Sequence, residues 1–260
     1  MKLKRRYVEK PWGRTKLPPM FDAQTGQRIG EVWFTSDSDL PLLAKYIFTS
    51  ERLSIQVHPN DQQARARGLA QGKSECWYIL DAEPGSTLGL GLKRQLGEDA
   101  LRQAALDGSI EQLMEWRPVR RGDFVFVSSG TVHAIGAGIS LLEFQQNSDV
   151  TYRLYDYGRP RELHLDDGVA VSKAEPFQHN LVQHLSGAER MTLVDGPHFT
   201  LVLTNEDTLQ GRLRWVLPLE GEVRSGVDVA GAGDCLLLQP GEKLESSGAR
   251  MLIGATAGRL

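Results

Sequence analysis

Cysteine is scarce in this chain: only Cys76 and Cys235 occur among 260 residues, far apart in sequence. Two distant thiols give no disulfide framework, leave at most a single bridge open, and fit a reducing cytoplasm. Long apolar runs are missing too. No stretch approaches the ~20 residues that a membrane-spanning helix needs. The basic start, MKLKRRYVEKPWG, is not followed by the apolar segment of a secretory signal. Charged residues and then Pro-Trp-Gly come at once, so an ordinary N-terminus is expected rather than a transit peptide. Nor is there an excess of positive charge. The net charge of -3 and a pI near 6.1 exclude a general nucleic-acid binder and a polybasic membrane binder. A cytoplasmic protein with no nucleic-acid or membrane partner is the expectation.

What the chain does have is short β-like runs. LAKYIFT, LSIQVH, CWYIL, DFVFV, ISLLEFQ, TYRLYDY, FTLVLT and CLLLQP are rich in branched or aromatic residues, and 27 glycines punctuate them. That pattern predicts an all-β sandwich or barrel. Two stretches depart from it. Residues 61–72 (DQQARARGLAQG) are Ala/Arg/Gln-rich and predict one to three helical turns. Residues 97–116 carry an apolar stripe of Leu101, Ala105, Ile110, Leu113 and Met114, interrupted by Asp107-Gly108-Ser109. Two short helices are expected there, with Ser109 as N-cap of the second. RRGDFVFVSSGTVHAIG and GAGDCLLLQPGEKLESSG share a Gly-Asp followed by four mostly apolar residues and a Gly turn, as if one β unit were duplicated. His133 has no counterpart in the second copy, where Leu244 falls nearby. The expected division is 1–165 for a catalytic unit and 166–260 for a connection and a second, metal-free unit.

In LSIQVHPND, strand alternation puts Ser54, Gln56 and His58 on one face. A half-exposed strand explains such a face without any chemistry. Together with Glu75 and His133, however, Gln56 and His58 supply two imidazoles, one carboxylate and one amide oxygen. That set suits Zn²⁺ or another first-row divalent ion with room for water or substrate. A single carboxylate leaves the site near a net +1 and the ion electrophilic. His164, His179, His184 and His198 lie in charged or loop-like surroundings and are expected to be structural.

LSIQVHPND, GKSECWYIL, GDFVFVSSGTVHAIGAG and EFQQNSDVTYRLYDYGRPRELH, with EKPWG and IGEVWFTSD before them, closely resemble the type I mannose-6-phosphate isomerase family in its short bacterial form. The resemblance is strong over roughly residues 7–165 and weak beyond. It implies a cupin-type double-stranded β-helix (a jelly roll), duplicated, with a few short helices. It also implies zinc on Gln56, His58, Glu75 and His133, and a small sugar phosphate as substrate. Further active-site residues implied are Ser54, Lys73, Glu143 and Arg153, with Lys45 and Arg159 as weaker matches. Two positions depart from the family: Ser128 stands where Pro is usual, and Arg14 where Gly is common.

The implied reaction interconverts mannose 6-phosphate and fructose 6-phosphate through an enediol. Arg153 is expected beside the substrate oxygens, and Ser54, Lys73 and Arg159 near phosphate. Glu143 is the candidate base: burial would raise its proton affinity into a useful range, whereas an ion pair with Arg153 would depress it. Trp77 and Tyr78 are expected in the core, with one of them free to stack on a sugar face.

Overall fold

The computed structural model describes residues 1–21, 26–185, 187 and 190–258. Four antiparallel sheets and a small helical layer stack in succession. The large sheet has seven strands, in the order Lys4–Arg14, Ile29–Thr35, Leu42–Phe48, Ile139–Gln146, Glu75–Ala82, Asp123–Val127 and Val182–His184. A five-stranded sheet (Tyr152–Tyr155, Ile55–Val57, His133–Ile135, Thr87–Leu92, Met114–Pro118) faces it to complete the first jelly roll. The second unit has a five-stranded sheet, Met191–Asp195, Phe199–Thr204, Arg250–Thr256, Arg214–Glu220 and Leu236–Leu238, and a three-stranded one, Asp228–Ala230, Val223–Ser225 and Glu245–Ser246. The mainly-β cupin expectation is met.

Period-two alternation explains the stacking. Along Ile139–Gln146 every residue is buried, because both faces of the large sheet are covered. Leu142 and Phe144 point one way, into a core shared with Cys76, Tyr46, Phe199, Trp215 and Leu252 that joins the two units. Leu141, Glu143 and Gln145 point the other way, towards the facing sheet of the first unit. There Ile47, Trp77, Ile79, Leu88 and Leu90 form a second core. Ile55 and Val57, on the outer face of the five-stranded sheet, pack against the helices Glu98–Asp107 and Leu165–Val171. Ser54 and Gln56 are thereby left facing inward.

The duplication is visible in the strand order. Ile139–Gln146 lies between Leu42–Phe48 and Glu75–Ala82, with Asp123–Val127 next. In the second unit Arg250–Thr256 lies between Phe199–Thr204 and Arg214–Glu220, with Leu236–Leu238 next. The Gly-Asp turns also match. Gly122 and Gly233 both take φ near +90°, where only glycine is unstrained (+89° and +93°). In each, the following aspartate accepts from a backbone N–H three residues earlier: Asp123 from Arg120 at 2.9 Å, Asp234 from Gly231 at 3.1 Å. The interior of the second unit is filled by Val216, Leu236, Leu238, Met251 and Ile253, with Leu244 packed beside them. The connection packs on the first unit: Leu165–Val171 lies against Tyr152–Tyr155, and Val182–His184 pairs with Asp123–Val127.

Smaller expectations need adjusting. Residues 61–72 yield one short helix, Asp61–Arg65, capped by Asn60. The 97–116 stretch does split at Gly108, giving Glu98–Asp107 and Ile110–Leu113, but Met114 already begins a strand. Ser109 occupies the N-cap position without capping: its side chain makes no hydrogen bond to the helix, and its own N–H donates to Asp107 Oδ1 at 2.9 Å. Ser128 does not loosen its turn, since the Ser128 carbonyl accepts from Thr131 N at 3.1 Å. Both cysteines are free and buried. Among the described residues no helix is long and apolar enough to cross a membrane.

Gly254 lies where the two large sheets touch. A Cβ there would fall 2.2 Å from Phe144 Cζ. Gly254→Ala is therefore expected to destabilise the protein by about 1–3 kcal/mol through overpacking. The check is a lower urea midpoint at unchanged m-value.

Candidate metal centre and active site

Three segments bring the ligand candidates together. Gln56 pairs directly with His133 across neighbouring strands and with Arg153 on its other side, so all three share the inward face. His58 follows two residues later, and Glu75 opens the strand of the opposing sheet. Donor atoms of His58, Glu75 and His133 lie within 4.8 Å of one another, all three residues buried. Among the described residues this is the one such group of three or more.

Hydrogen bonding fixes which imidazole nitrogens are free. His58 Nδ1 lies 2.8 Å from the Val150 carbonyl oxygen, and His133 Nδ1 lies 2.9 Å from that of Thr131. A carbonyl only accepts, so each Nδ1 carries the proton and each Nε2 presents its lone pair to the cluster. His58 Nε2 is buried without a hydrogen-bond partner among the described residues. His133 Nε2 lies 3.3 Å from Glu75 Oε1 and 3.3 Å from the Gln56 amide nitrogen. Burial, helped by nearby Lys73, holds His58 down at about 3 against the pull of Glu75; burial likewise lowers His133. Burial alone would raise Glu75, yet the neighbouring Lys73 ammonium holds it well below the usual carboxylate range. Neutral imidazoles, an ionised carboxylate and an orphaned buried nitrogen form a donor set that fits a divalent metal ion.

A cavity of about 350 Å³ opens above the cluster, lined by Gln56 and Glu75 and walled by an alternating ladder of charges. Lys10 Nζ is 3.4 Å from Glu31, Lys45 Nζ is 3.5 Å from Glu31 and 3.2 Å from Glu143, and Lys73 Nζ is 3.6 Å from Glu143 and 2.9 Å from Glu75. Register explains the ladder, since Trp33, Lys45, Glu143 and Trp77 are direct cross-strand partners on one face. Burial pushes Glu143 up and the Glu75 charge pushes the same way. Lys45 and Lys73 offset this only in part, and Glu143 rests at about 7. Burial opposes charge on Glu31 too, but Lys45, Lys10 and the Trp33 N–H bring it down to about 2.

Ser54, Lys45, Lys73, Glu143 and Arg153 all line this cavity with Gln56 and Glu75, while His58 and His133 lie behind them in the cluster. Arg159 does not: it turns away to pair with Asp156 at 2.8 Å and with the Arg52 carbonyl at 2.7 Å. Arg161 and His164 stand on the lining instead. The Glu143–Arg153 ion pair does not form, because Arg153 lies across the cavity and donates to the Glu162 carbonyl at 3.2 Å. Trp77 and Tyr78 are both core. Trp77 Nε1 donates to Glu143 Oε2 at 3.2 Å, while Tyr78 faces the second unit; Trp12 is the indole on the cavity wall. Leu53, which strict alternation would put with Ile55 and Val57 on the face opposite Ser54, turns inward beside Trp12, because the strand begins only at Ile55. His179, His184 and His198 lie at Arg117, Asp123 and Asp61, away from the cavity, whereas His164, expected to be structural, is on its wall.

The residues that sequence reasoning passed over are Lys10, Trp12, Glu31, Arg161 and His164. Each lay inside a quoted motif, but only the pairing of distant strands shows which of its residues turn inward.

Comparison with known proteins agrees with this architecture. No family model matches the chain. A mannose-6-phosphate isomerase of Streptococcus mutans is 38% identical over 179 residues, which are 64% of this chain and 55% of that protein. A probable mannose-6-phosphate isomerase of Bacillus subtilis is 32% identical over 240 residues, 75% of this chain and 76% of the relative. The chain belongs to the mannose-6-phosphate isomerase family. The crystal structure of mannose 6-phosphate isomerase from Bacillus subtilis superposes with a TM-score of 0.82 at 26% identity, covering 97% of this chain and 98% of that one. A putative mannosephosphate isomerase of Archaeoglobus fulgidus shares the fold, at a TM-score of 0.79 and 17% identity over 99% and 97% of the two chains. Within the family, this chain spans about half the length of the first curated relatives it matches, 55% and 54%.

Proposed function

We propose that the protein is a zinc-dependent aldose–ketose isomerase that interconverts mannose 6-phosphate and fructose 6-phosphate. The observation that carries this is one cavity whose lining joins Glu75 of the His58–Glu75–His133 donor cluster to a buried carboxylate, Glu143, that burial and the Glu75 charge push up to about 7. Family membership supplies the substrate class. A cavity of about 350 Å³ falls in the range of small-molecule sites.

His58 Nε2, His133 Nε2 and a Glu75 oxygen would hold the ion, with Gln56 as the fourth donor. Its amide oxygen, which now accepts from Ser54 Oγ at 3.0 Å, reaches the cluster by a half-turn of the side chain. A bound ion would supply Lewis acidity that polarises the sugar carbonyl. Glu143, as carboxylate, removes the proton from C2 of the aldose. The C2–H electron pair becomes the C1–C2 double bond of an enediol as the C1 carbonyl oxygen takes a proton from solvent, to which the C2 hydroxyl later gives up its own. Return of the Glu143 proton to C1, with loss of the C2 hydroxyl proton, leaves the ketose. A base that titrates near neutrality suits transfer in both directions. Lys45 and Lys73 both approach Glu143 Oε1, at 3.2 and 3.6 Å, while the Trp77 N–H holds Oε2. Arg153 supplies fixed positive charge for the phosphate, whereas Arg161, whose Nε and Nη2 already donate to Asp156 at 2.6 and 2.7 Å, can offer only its remaining N–H groups.

The test is direct. Zinc-loaded protein is expected to turn over mannose 6-phosphate, EDTA-treated protein to lose at least about 99% of that rate, and zinc to restore it. Absence of turnover in protein shown to contain metal would sink the proposal. Turnover of a different aldose phosphate alone would keep the chemistry and overturn the substrate.

A further inference from the structure

A second cavity lies on the other side of the large sheet, where the two β units meet. It encloses about 560 Å³, more than the cavity above the metal cluster. Tyr46 and Phe48, on its floor, alternate along their strand with Lys45 and Ile47 on the catalytic wall, so the sheet itself separates the two cavities. The floor is continued by Phe21, Leu80 and, from the second unit, Leu219; among the described residues the rim carries Arg14, Lys16 and Arg121 and the carboxylate Asp81.

Three features point to a ligand rather than a packing gap. First, Ser140 on the cavity lining is only 3% exposed, and its hydroxyl has no hydrogen-bond partner among the described residues. A buried hydroxyl without a partner is costly unless something else supplies one. Second, Arg14, the departure from the family noted in the sequence, is held by its Nε donating to the Thr49 carbonyl at 3.0 Å. Its Nη2 makes no hydrogen bond among the described residues and only a loose ion pair, at 3.6 Å, with the exposed Glu83 carboxylate. Third, three cations surround an aromatic floor, the complement of a molecule with an apolar body and an acidic group.

We propose that this cavity is a second ligand site, for a small organic anion with a planar apolar body such as an aromatic carboxylate, sulfonate or phosphate. The body lies on Phe21, Phe48 and Leu219; the acidic group meets Arg14, Lys16 and Arg121, with Ser140 Oγ donating to it. The site stands independently of the isomerase proposal.

The test uses 8-anilinonaphthalene-1-sulfonate as probe, titrated into the full-length, zinc-loaded protein. Fluorescence is expected to saturate at one probe per chain and to persist under saturating mannose 6-phosphate. Lys16 and Arg121 are both exposed, so the double variant Lys16→Glu/Arg121→Glu should fold, which near-ultraviolet circular dichroism verifies. It is expected to raise the probe's Kd about tenfold through lost attraction and new repulsion. The uncharged analogue N-phenyl-1-naphthylamine should bind the native protein at least about tenfold more weakly. Non-saturable fluorescence, displacement by mannose 6-phosphate, or equal affinity of variant and native protein would each overturn the proposal.

Discussion

Glu143→Gln is expected to lower isomerase turnover about 10²- to 10⁴-fold while metal content stays unchanged, because the amide keeps the shape of the carboxyl but cannot take a proton. The sign of the pH dependence follows from its environment. Burial and Glu75 raise Glu143 to about 7, so the base form is lost as pH falls through that value. In the native protein, kcat/KM should therefore rise with pH as Glu143 ionises and then level off, the charge of an ion held on Glu75 drawing that limb below 7. The variant should lose that limb along with its activity. A variant of near-native activity with an unchanged profile would hand proton transfer to another group. The neighbours make this a demanding position: Lys45, Lys73 and the Trp77 N–H all contact Glu143 oxygens. Some stability change will accompany the substitution, and metal content together with KM separates it from the chemical effect.

His58→Ala is expected to have the second large effect, this time on the ion. It removes one of two imidazole donors whose tautomer is set by a backbone carbonyl at 2.8 Å. Losing a ligand from a four-donor site, together with the support its second nitrogen gives, is expected to weaken zinc binding by at least about 100-fold. Turnover at limiting metal should vanish in parallel. Metal analysis after dialysis is the check, and stoichiometric zinc in the purified variant would remove His58 from the ligand set. Glu143→Gln and His58→Ala thus differ in their expected signatures: the first keeps metal and loses rate, the second loses both.

Much of the site was legible in the sequence because strand alternation is strict. Once LSIQVH is a strand, Ser54, Gln56 and His58 share a side, and once ISLLEFQ is a strand, Glu143 and Gln145 oppose Phe144. The spelling of the motifs supplied the rest of the candidate set, including Glu75 and His133. The errors fall where side-chain direction depends on something other than alternation. Arg159 sits past the end of its strand, and Asp156 draws it away from the cavity. His164 looked like a loop residue, yet the chain folds back so that its Nδ1 accepts from the Arg153 N–H at 3.2 Å, which carries it to the wall. Ser109 stands in the N-cap position, but a helix that restarts directly after Gly108 leaves its own backbone helical and its hydroxyl out of reach.

By itself, then, the sequence determined the mainly-β class and the duplicated unit, since periodicity is a local property, while the resemblance of its motifs to the family supplied the metal-ligand candidates and Glu143. Tertiary structure alone decided what that carboxylate touches. Lys45, Glu143 and Trp77 are far apart in the chain and become neighbours only through strand register. The proton affinity of Glu143 is the sum of burial and of charges brought from those other strands, and no window of the sequence contains that sum.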